Sequence, residues 1–562
     1  MYQKIQKLIP LIIVIICIPA AWHLLYPGYF SVHDDMHPAW ILEMYRAIQS
    51  GQFPPRYAPD LSYGFGYPLF HFIYPLPYYI GAAYYSLGLN LIWSIKLIYI
   101  LSLPFSALAM YVFTRRHLST LGAIICSVIY IYTPYRAVNI YVRGALGESL
   151  SFVFIPIIFW SIDKAFEIPN KRTISFAGLS FAGLILTHNI AAYIVAPFAL
   201  IYFVFRFYSH NNLNAIFNLF KMLILGLALS AYFWIPAIID KRLMIENPIF
   251  NYRDHFPFIK QLLFSKWGYG ASLWGPDDGF SFQLGIINLI SIFLLGLLTL
   301  ITFYRDKKII FSSFFTLSST LFLLYLMNIR SSWIWDTIPF MNYFQFPWRL
   351  LLLITFFSSF AAGQIYDQIT KHKPNLKVYL LIILGLFSMG TVRYFQPDKH
   401  INISTEDIIT KYFAVDPNNP QPPISSQYSN IKEEYLRLPK GTSKRPDFYP
   451  FLRVKSANDE TKISYLQTSP TSYQFITNGP ATELSVFVYA FPLWQVYIDK
   501  KVSKYYSGEP YGQLSINIDD GYHKIDLMIK EIGWRRSITI ISISSIVVAM
   551  FLIILPNKNV KK

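Results

Sequence analysis

Charged residues are scarce in this sequence. Only 14% of the 562 residues are Asp, Glu, Lys or Arg, whereas 54% are hydrophobic. Soluble proteins carry about 25% charged residues, so the composition excludes an ordinary soluble protein and predicts one that crosses a membrane many times. Acidic residues are fewer than basic ones, 31 against 48. This basic excess lies largely in short loops between apolar segments, which indicates the positive-inside pattern, with some charge left for anionic lipid, and not a nucleic-acid partner.

Cysteine is nearly absent as well. The two cysteines, Cys17 and Cys126, lie in apolar segments, which excludes a disulfide framework in an outer domain and a cysteine-based metal site. The sequence also has no Walker A loop, HExxH motif or GxSxG motif. The missing phosphate-binding glycine loop counts against a nucleotide-driven pump. No internal repeat is recognisable, which counts against a transporter built from two repeats.

Twelve apolar segments are long enough, or nearly long enough, to cross a bilayer as helices. The first, residues 8–26, follows a short basic N-terminus and has no small-residue cleavage site, so we predict a retained helix and not a cleaved signal peptide. An even number of spans places both termini in the cytoplasm. The other eleven are predicted at residues 91–113, 118–134, 149–163, 173–188, 190–206, 215–238, 283–304, 309–327, 348–366, 377–393 and 537–555.

The segment before the second span is rich in aromatic residues and is interrupted by prolines. If residues 67–90 do not cross the membrane, the basic clusters of the later short loops all fall on the cytoplasmic side, and if they cross, several clusters invert. We therefore predict that residues 67–90 stay on the outer side as interfacial or re-entrant helices.

The predicted fold class is an α-helical polytopic membrane protein with about 12 transmembrane helices and a C-terminal extracytoplasmic β-rich domain. Residues 1–393 are predicted to form the transmembrane domain, residues 394–533 the β-rich domain, and residues 534–562 the final helix with a cytoplasmic tail. The third outer loop is unusual because it holds Lys241, Arg242, Lys260 and Lys266, which break the positive-inside rule, although long loops obey that rule weakly. The outer loops of the first domain are predicted at residues 26–90, 134–148, 239–282 and 328–348.

The β-rich domain is predicted from stretches that alternate with period two, such as Trp494, Val496 and Ile498. Asp520-Gly521 lies between the last two of these stretches and predicts a hairpin turn. The beginning of the domain is rich in proline and asparagine at residues 416–420. These patterns favour a small sandwich or half-barrel.

A cluster of ionisable residues follows the first span. Asp34 and Asp35 lie between His33 and His37, about ten residues after the apolar segment ends. Trp40, Met44 and Ile48 then recur every four residues, with Glu43, Arg46 and Gln49 on the other face, which predicts a helix lying along the membrane surface. A simpler interpretation is that Asp35 only caps this helix.

The candidate site residues all fall on the predicted outer side. Carboxylates can take a proton from a hydroxyl or hold a divalent cation, and arginines can bind phosphate. Simpler interpretations remain open: Glu148 at a helix start suits the helix dipole, Arg143 and Arg349 could bind lipid headgroups, and His188 suits a turn between helices. The candidates are His33, Asp34, Asp35, His37, Arg143, Glu148, His188, Arg330 and Arg349.

The sequence resembles the GT-C glycosyltransferases, which use polyprenyl-phosphate sugars on the outer face of a membrane. The resemblance covers most of the chain: a first helix, an acidic first outer loop (Asp34-Asp35), surface helices, a second outer loop with an acid (Glu148), further spans and a C-terminal outer domain. More narrowly, it resembles bacterial multispan proteins called 6-pyruvoyl-tetrahydropterin synthase-related, through the same acidic loop, residues 67–79, Arg143-Gly144 and residues 346–350.

This resemblance implies an inverting integral membrane glycosyltransferase. Its donor would be a polyprenyl-phosphate-linked sugar and its acceptor an envelope glycan, a lipid or a protein, in the plasma membrane of a bacterium. Asp34, Asp35 and Glu148 would be catalytic, and the histidines and arginines would bind substrate or phosphate. The same three acids could hold Mg²⁺ or Mn²⁺, although the second loop has one acid where metal-binding members have two. The alternative function is a transporter or scaffold that moves or binds an envelope glycan or lipid without chemistry.

Overall fold

Long apolar runs form helices because a helix satisfies its own backbone hydrogen bonds. The structure is a computed structural model that describes residues 2–245, 251–302, 307–413, 438–446 and 448–555. The helices are α1 (Tyr2–Ile16), α2 (Ile18–Ala21), α3 (His37–Gln49), α4 (Leu69–Phe72), α5 (Leu76–Ser86), α6 (Leu91–Thr114), α7 (Thr120–Ile131), α8 (Pro134–Ala137), α9 (Leu146–Ala165), α10 (Lys171–Thr187), α11 (Asn189–His210), α12 (Asn214–Asp240), α13 (Ile259–Leu263), α14 (Ile286–Thr302), α15 (Lys307–Leu326), α16 (Ser332–Thr337), α17 (Leu351–His372), α18 (Lys377–Val392), α19 (Thr405–Phe413) and α20 (Gly533–Ile554).

Each of the twelve predicted spans contains a helix. Among the described residues, eight helices are long and apolar enough to cross a membrane, and two bent pairs raise the number to ten. The bent pairs are Thr120–Ile131 with Pro134–Val142, and Ser312–Leu326 with Ile329–Thr337. Of the two remaining candidates, α14 contains the shorter apolar helix Ile286–Ile301, and α10 has 17 residues. The helical membrane-protein fold is thus confirmed, while the count of twelve spans and their orientation stay predictions.

The segment between the first two spans folds as short helices against the bundle. Helix α5 has 11 residues, about half of what a bilayer core requires, and this agrees with a segment that does not cross. The predicted polar face of α3 is wrong for Glu43, which is fully buried, and Ile48 on the predicted apolar face is 41% exposed. Glu43 is tolerated there because it accepts a hydrogen bond from the Asp60 amide and contacts Arg46.

The predicted β-rich part is a sandwich of two antiparallel sheets. One sheet has the order β3-β6-β10-β9 and the other β4-β5-β11-β7-β8, and a separate pair joins β1 to β2. Alternate side chains such as Phe475, Val486, Ile516 and Leu527 fill the space between the sheets. The strands are β1 (Tyr29–Phe30), β2 (His400–Ile401), β3 (Val454–Ser456), β4 (Lys462–Ser469), β5 (Ser472–Gly479), β6 (Thr482–Tyr489), β7 (Trp494–Ile498), β8 (Lys501–Ser503), β9 (Tyr506–Gly508), β10 (Gln513–Ile518) and β11 (Gly521–Ile529).

Two details of the β-rich prediction need revision. The turn at Asp520-Gly521 does not close a hairpin, because β10 pairs with β6 and β9 while β11 pairs with β5 and β7. The turn therefore carries the chain from one sheet to the other. The proline- and asparagine-rich stretch at 416–420 lies outside the described residues.

The sandwich packs on the loop that precedes α4. The ring of Phe65 meets Tyr489 and Phe487, and Tyr57 meets Trp494 edge-on at 5.6 Å between ring centroids. The Tyr489 amide also donates to the Phe65 carbonyl at 3.2 Å. The sandwich and the helical part therefore share one continuous hydrophobic core.

Candidate functional site

The first loop is held against the second loop by its backbone. The His33 amide donates to the Val142 carbonyl at 3.0 Å, and the Asp34 amide donates to the Arg143 carbonyl at 2.7 Å. The next residue, Gly144, has a φ of +69°, and a Cβ there would meet Val32 at 2.8 Å. Glycine is therefore required at this position both by the backbone conformation and by the close approach of the first loop.

His33 and Asp34 form a side-chain pair. The His33 Nδ1 lies 2.7 Å from the Asp34 Oδ1, and the two side chains are 37% and 25% exposed. Burial alone would raise the pKa of Asp34, but the hydrogen bond and charge of His33, with the charges of Arg143 and His37, lower it to about 2. Asp34 is thus a permanent anion that orients the imidazole of His33.

Asp35 points to a different partner. Its Oδ2 lies 2.7 Å from the Nζ of Lys411 on α19. The alternative that Asp35 is the N-cap of α3 is wrong, because Met36 holds that position and makes no side-chain cap hydrogen bond. The helix begins with Pro38 in its first turn, where the missing proline amide needs no partner.

His37 lies at the start of α3 beneath the acidic loop. Its Nδ1 and the Tyr78 hydroxyl are 2.9 Å apart. Its Nε2 is buried and has no hydrogen-bond partner among the described residues. Burial lowers the pKa of His37 to about 4, against the opposing effect of Asp34 and Asp35. His37 is therefore neutral at pH 7, with one ring nitrogen available to a ligand.

Glu148 lies at the start of α9 in a ring of donors. Arg143 Nη1 donates to its Oε2 at 2.8 Å, Asn139 Nδ2 to its Oε1 at 3.4 Å, and the Tyr135 hydroxyl also donates to Oε1. Burial would lower the pKa of Arg143, but the charges of Glu148, Tyr135 and Asp34 raise it above its usual range. Both oxygens of Glu148 are occupied, which suits a residue that positions Arg143.

A second arginine comes from the start of the span that includes α17. Arg349 Nη1 donates to Gln345 Oε1 at 2.6 Å, while its buried Nε has no partner among the described residues. Gln345 has a φ of +65°, an uncommon conformation for a residue other than glycine. Trp348 lies within reach of both guanidinium groups, with its ring centroid 4.6 Å from Arg143 Cζ and 5.9 Å from Arg349 Cζ. The two cations thus share one aromatic ring.

The last two candidates, His188 and Arg330, differ in their position relative to the cluster around Glu148. His188 borders this cluster: its Nδ1 accepts a hydrogen bond from the Ala191 amide at 2.9 Å, and its ring lies 5.1 Å from the ring of Tyr74. It therefore caps α11, as the simpler interpretation holds. Arg330 is exposed on the short turn Ile329–Ser331 after α15, and no described contact joins it to the cluster.

The described residues contain no group of three or more His, Cys, Asp or Glu side chains that could hold a metal ion. Asp35 turns to Lys411 and Glu148 to Arg143, so the three proposed metal ligands do not converge. The donor set found here does not fit a divalent cation.

Sequence reasoning missed Tyr135, Asn139 and Lys411. Tyr135 and Asn139 precede the candidate Arg143 at intervals of four residues, so this spacing could have indicated one helical face turned toward Glu148. Lys411 carried no such signal, because it lies 376 residues from its partner Asp35.

A family model for the 6-pyruvoyl-tetrahydropterin synthase related domain, described as a membrane protein, matches residues 70–397. The chain belongs to this family. The family match includes Arg143, Glu148 and Arg349 but begins after the acidic loop and ends before the sandwich. An uncharacterized protein of Lactococcus lactis subsp. cremoris (strain MG1363) is 24% identical over 310 residues, which are 51% of this chain and 49% of that protein. The chain spans about half the length of this curated relative.

Among solved structures, the cryo-EM structure of arabinofuranosyltransferase AftD from Mycobacteria is similar at a TM-score of 0.47 and 15% identity, over 69% of this chain and 27% of that one. A mutant form of AftD gives the same TM-score at 14% identity, over 69% and 28%. The chain thus spans about a quarter of the length of AftD, and nothing about activity follows from a similarity at this level.

Proposed function

We propose that this protein is an integral membrane glycosyltransferase that moves a sugar from a polyprenyl-phosphate donor to a glycan, lipid or protein acceptor on the outer face of the cell membrane. The observation that carries the proposal is the meeting of two loops. An exposed His33–Asp34 pair is bonded through its backbone to the residues that place Arg143 beside Glu148. A proton acceptor next to buried cations suits a reaction that deprotonates a hydroxyl and expels a phosphate.

His33 and Asp34 would act as one proton-accepting unit. Asp34 Oδ1 is already engaged by His33 Nδ1, and His33 is the more exposed of the two side chains, at 37% against 25%. We therefore assign the proton to the exposed face of His33 and the orientation of its ring to Asp34. This arrangement follows the logic of an acid that holds a catalytic imidazole in place.

Arg143 and Arg349 would receive the phosphate. Arg143 is paired directly with Glu148, whereas the buried Arg349 pairs with no carboxylate among the described residues. The unpartnered Nε of Arg349 and Nε2 of His37 are donors, or potential donors, that a phosphate or sugar oxygen could satisfy. An anion is thus the ligand that this cluster lacks.

The chemical step is a substitution at the anomeric carbon. The acceptor oxygen forms the new bond to that carbon, the bond to the phosphate oxygen breaks with its electron pair, and the acceptor proton passes to His33. Attack from the side opposite the phosphate inverts the configuration. The lipid phosphate leaves with its negative charge held by the arginines.

The experiment is a gene deletion with complementation, read by mass spectrometry of the lipid-linked and envelope glycans. Deletion should remove one class of sugar, and wild type should restore it. Asp34→Asn should leave the amount of membrane protein unchanged and lower transfer by about two to four powers of ten. The matched control Asp277→Asn changes an exposed acid in another loop and should restore the sugar fully.

Two outcomes would overturn the proposal. An unchanged glycan profile in the deletion strain would exclude this transfer. Full restoration by Asp34→Asn would exclude the His33–Asp34 chemistry and favour a transporter or scaffold for the same glycan.

A further inference from the structure

A second surface of the molecule carries exposed aromatic and aliphatic side chains. After α15, the segment Ile329–Thr337 is bent by 89° from the span Ser312–Leu326. A segment that leaves a span at a right angle, within a few residues of its end, runs in the plane of the membrane surface. The chain continues to Phe344 with further short turns. We call residues 329–344, together with residues 252–264, whose Tyr252 and Phe256 contact Trp335, the interfacial platform.

The platform is tied together and to the end of the span. Trp335 Nε1 donates to the Leu326 carbonyl at 3.0 Å, and the Trp335 ring stacks on Tyr252 at 5.4 Å. Arg253 pairs with Asp336 at 2.5 Å. These contacts fix the height of the platform relative to the end of α15.

The outward side of the platform is strongly apolar. A monomeric soluble surface rarely exposes so many large apolar side chains together, and such patches mark contacts with membrane or protein. Trp333 is 60% exposed and Phe264 is 72% exposed. The exposed large apolar side chains are Phe258, Ile259, Leu263, Phe264, Ile329, Trp333, Ile338, Phe340 and Tyr343.

This apolar side continues a surface that faces lipid. The side chains of Leu321, Phe322 and Tyr325 on the preceding span are also exposed. Trp333 Nε1 donates to the Tyr325 hydroxyl at 3.0 Å, which joins the span to the platform without a gap. Tryptophan and tyrosine are the side chains that concentrate where the hydrocarbon core meets the headgroups.

Basic side chains accompany the platform. Arg330, Lys260 and Lys266 are exposed, and Lys241 Nζ lies 2.5 Å from the Tyr343 hydroxyl. Lys241, Lys260 and Lys266 belong to the third outer loop, the loop that breaks the positive-inside rule. Lipid phosphates beside the aromatic side chains would provide counter-charges for Arg330, Lys260 and Lys266.

We propose that the interfacial platform inserts its apolar side into the boundary between headgroups and acyl chains and binds anionic headgroups through Arg330 and Lys260. The bilayer is the occupant because the platform continues the lipid-facing side of a span. Arg330 thereby acquires a role outside the site around Asp34. The proposal does not depend on the chemistry at that site.

The depth of two labelled platform residues in the bilayer tests whether the apolar side of the platform inserts. Trp333→Cys and Phe264→Cys are labelled with an environment-sensitive fluorophore in phosphatidylcholine nanodiscs, with and without a lipid that carries a doxyl quencher near its headgroup. The matched control is Tyr522→Cys, which replaces a sandwich residue of similar exposure, 63%. Both platform labels should be quenched several-fold more than the control. Quenching equal to the control would overturn the proposal and point to a protein partner or a second copy.

The preference of the protein for anionic headgroups tests the proposed role of Arg330 and Lys260. Wild type and Arg330→Gln/Lys260→Gln are purified from membranes that contain phosphatidylglycerol, and the retained lipid is counted by mass spectrometry. Each surface cation contributes a roughly fivefold preference for anionic lipid, so the double variant should retain much less phosphatidylglycerol. The control is Lys500→Gln, an exposed lysine of the sandwich. Equal retention by both variants would overturn the assignment of anionic headgroups.

Discussion

The two ends of helix α9 offer a direct comparison. Its 20 residues span about 30 Å, and a buried acid lies near each end: Glu148 at the beginning and Asp163 near the C-terminus. Each acid is paired with arginine. They differ in what the surrounding residues leave unsatisfied.

Asp163 is enclosed by its partners. Its two oxygens contact His117 Nε2 at 2.6 Å, the Tyr202 hydroxyl at 2.8 Å, Arg206 Nε at 3.0 Å and Arg116 Nε at 3.5 Å. These groups come from the end of α6 and from α11, whereas Asp163 itself lies on α9. The cluster joins those helices and leaves no surface of the acid to a ligand.

The Glu148 end has the opposite character. Glu148 itself is saturated, but neighbouring groups remain available: an exposed His33–Asp34 pair, one nitrogen of His37 and one of Arg349. A buried ionic cluster can therefore be structural or functional in one helix. At the Asp163 end, Arg116 Nε and Arg206 Nε also make no hydrogen bond, but they lie 3.5 and 3.0 Å from Asp163 oxygens as ion pairs. Arg349 Nε has neither a hydrogen bond nor an ion pair among the described residues, and this is the difference between the two ends.

The largest effect is expected at His33. Replacement by Gln should lower turnover by about two to four powers of ten. Transfer of a radiolabelled sugar by equal amounts of folded wild type and His33→Gln measures this loss. Wild-type turnover in folded His33→Gln would instead assign the proton to Asp34.

The next effect concerns stability at the other end. Asp163→Asn removes the acid that pairs with Arg206 and one of the two acids that pair with Arg116, whose side chains are only 21% and 22% exposed. Breaking a buried ion pair costs about 3–5 kcal/mol. The melting temperature in detergent should fall clearly, while transfer per folded molecule stays at the wild-type level. Glu167→Gln, at an acid that is 46% exposed, is the matched control with little change. If folded Asp163→Asn lost activity, this acid would also be functional, and the two ends of α9 would not differ in this respect.

Matched arginines sharpen the contrast further. Arg349→Lys removes the planar fork beside Trp348 and should raise KM for the lipid-linked donor about tenfold, about 1.4 kcal/mol of binding. Arg206→Lys, in the enclosed cluster, should leave KM unchanged. Steady-state kinetics of both variants decide this, and equal KM values would argue against Arg349 as a phosphate ligand.

The smallest effect is expected for Lys411→Met. The Lys411 and Asp35 side chains are 30% and 22% exposed, and exposed ion pairs contribute about 0–1 kcal/mol. Melting should shift little and turnover should change less than about threefold. A tenfold loss of turnover with intact folding would instead place Asp35 among the working residues, beside His33.

The sequence predicts the helices well because burial in a bilayer leaves a strong local signal. Every predicted span, from residues 91–113 to residues 537–555, contains a helix. The strands around Trp494 are predicted for a similar reason, since alternation marks a half-buried strand. The sheet partners of β10 and β11 were not predictable, because a turn does not reveal which strands a sheet will join.

The site is predicted in part. The sequence singles out Asp34, Arg143, Glu148 and Arg349 because charge is rare in so apolar a chain. It could not reveal that Glu43 would be buried beside Asp60, since that depends on a loop folding back. Nor could it reveal the enclosed cluster of Asp163, whose partners come from separate helices. Local pattern finds the charges, but only the tertiary fold decides which of them neutralise each other.

The antiparallel pair of β1 and β2 has a consequence for biogenesis. Tyr29 pairs with Ile401 and Phe30 with His400, so residues made early in synthesis pair with residues made more than 350 positions later. Closing so long a loop is entropically costly and slow. Because chains emerge N-terminus first, β1 gains its strand partner only after most of the helices have been made. A ribosome that stops before residue 400 would therefore release a chain in which the segment leading to the acidic loop lacks this partner.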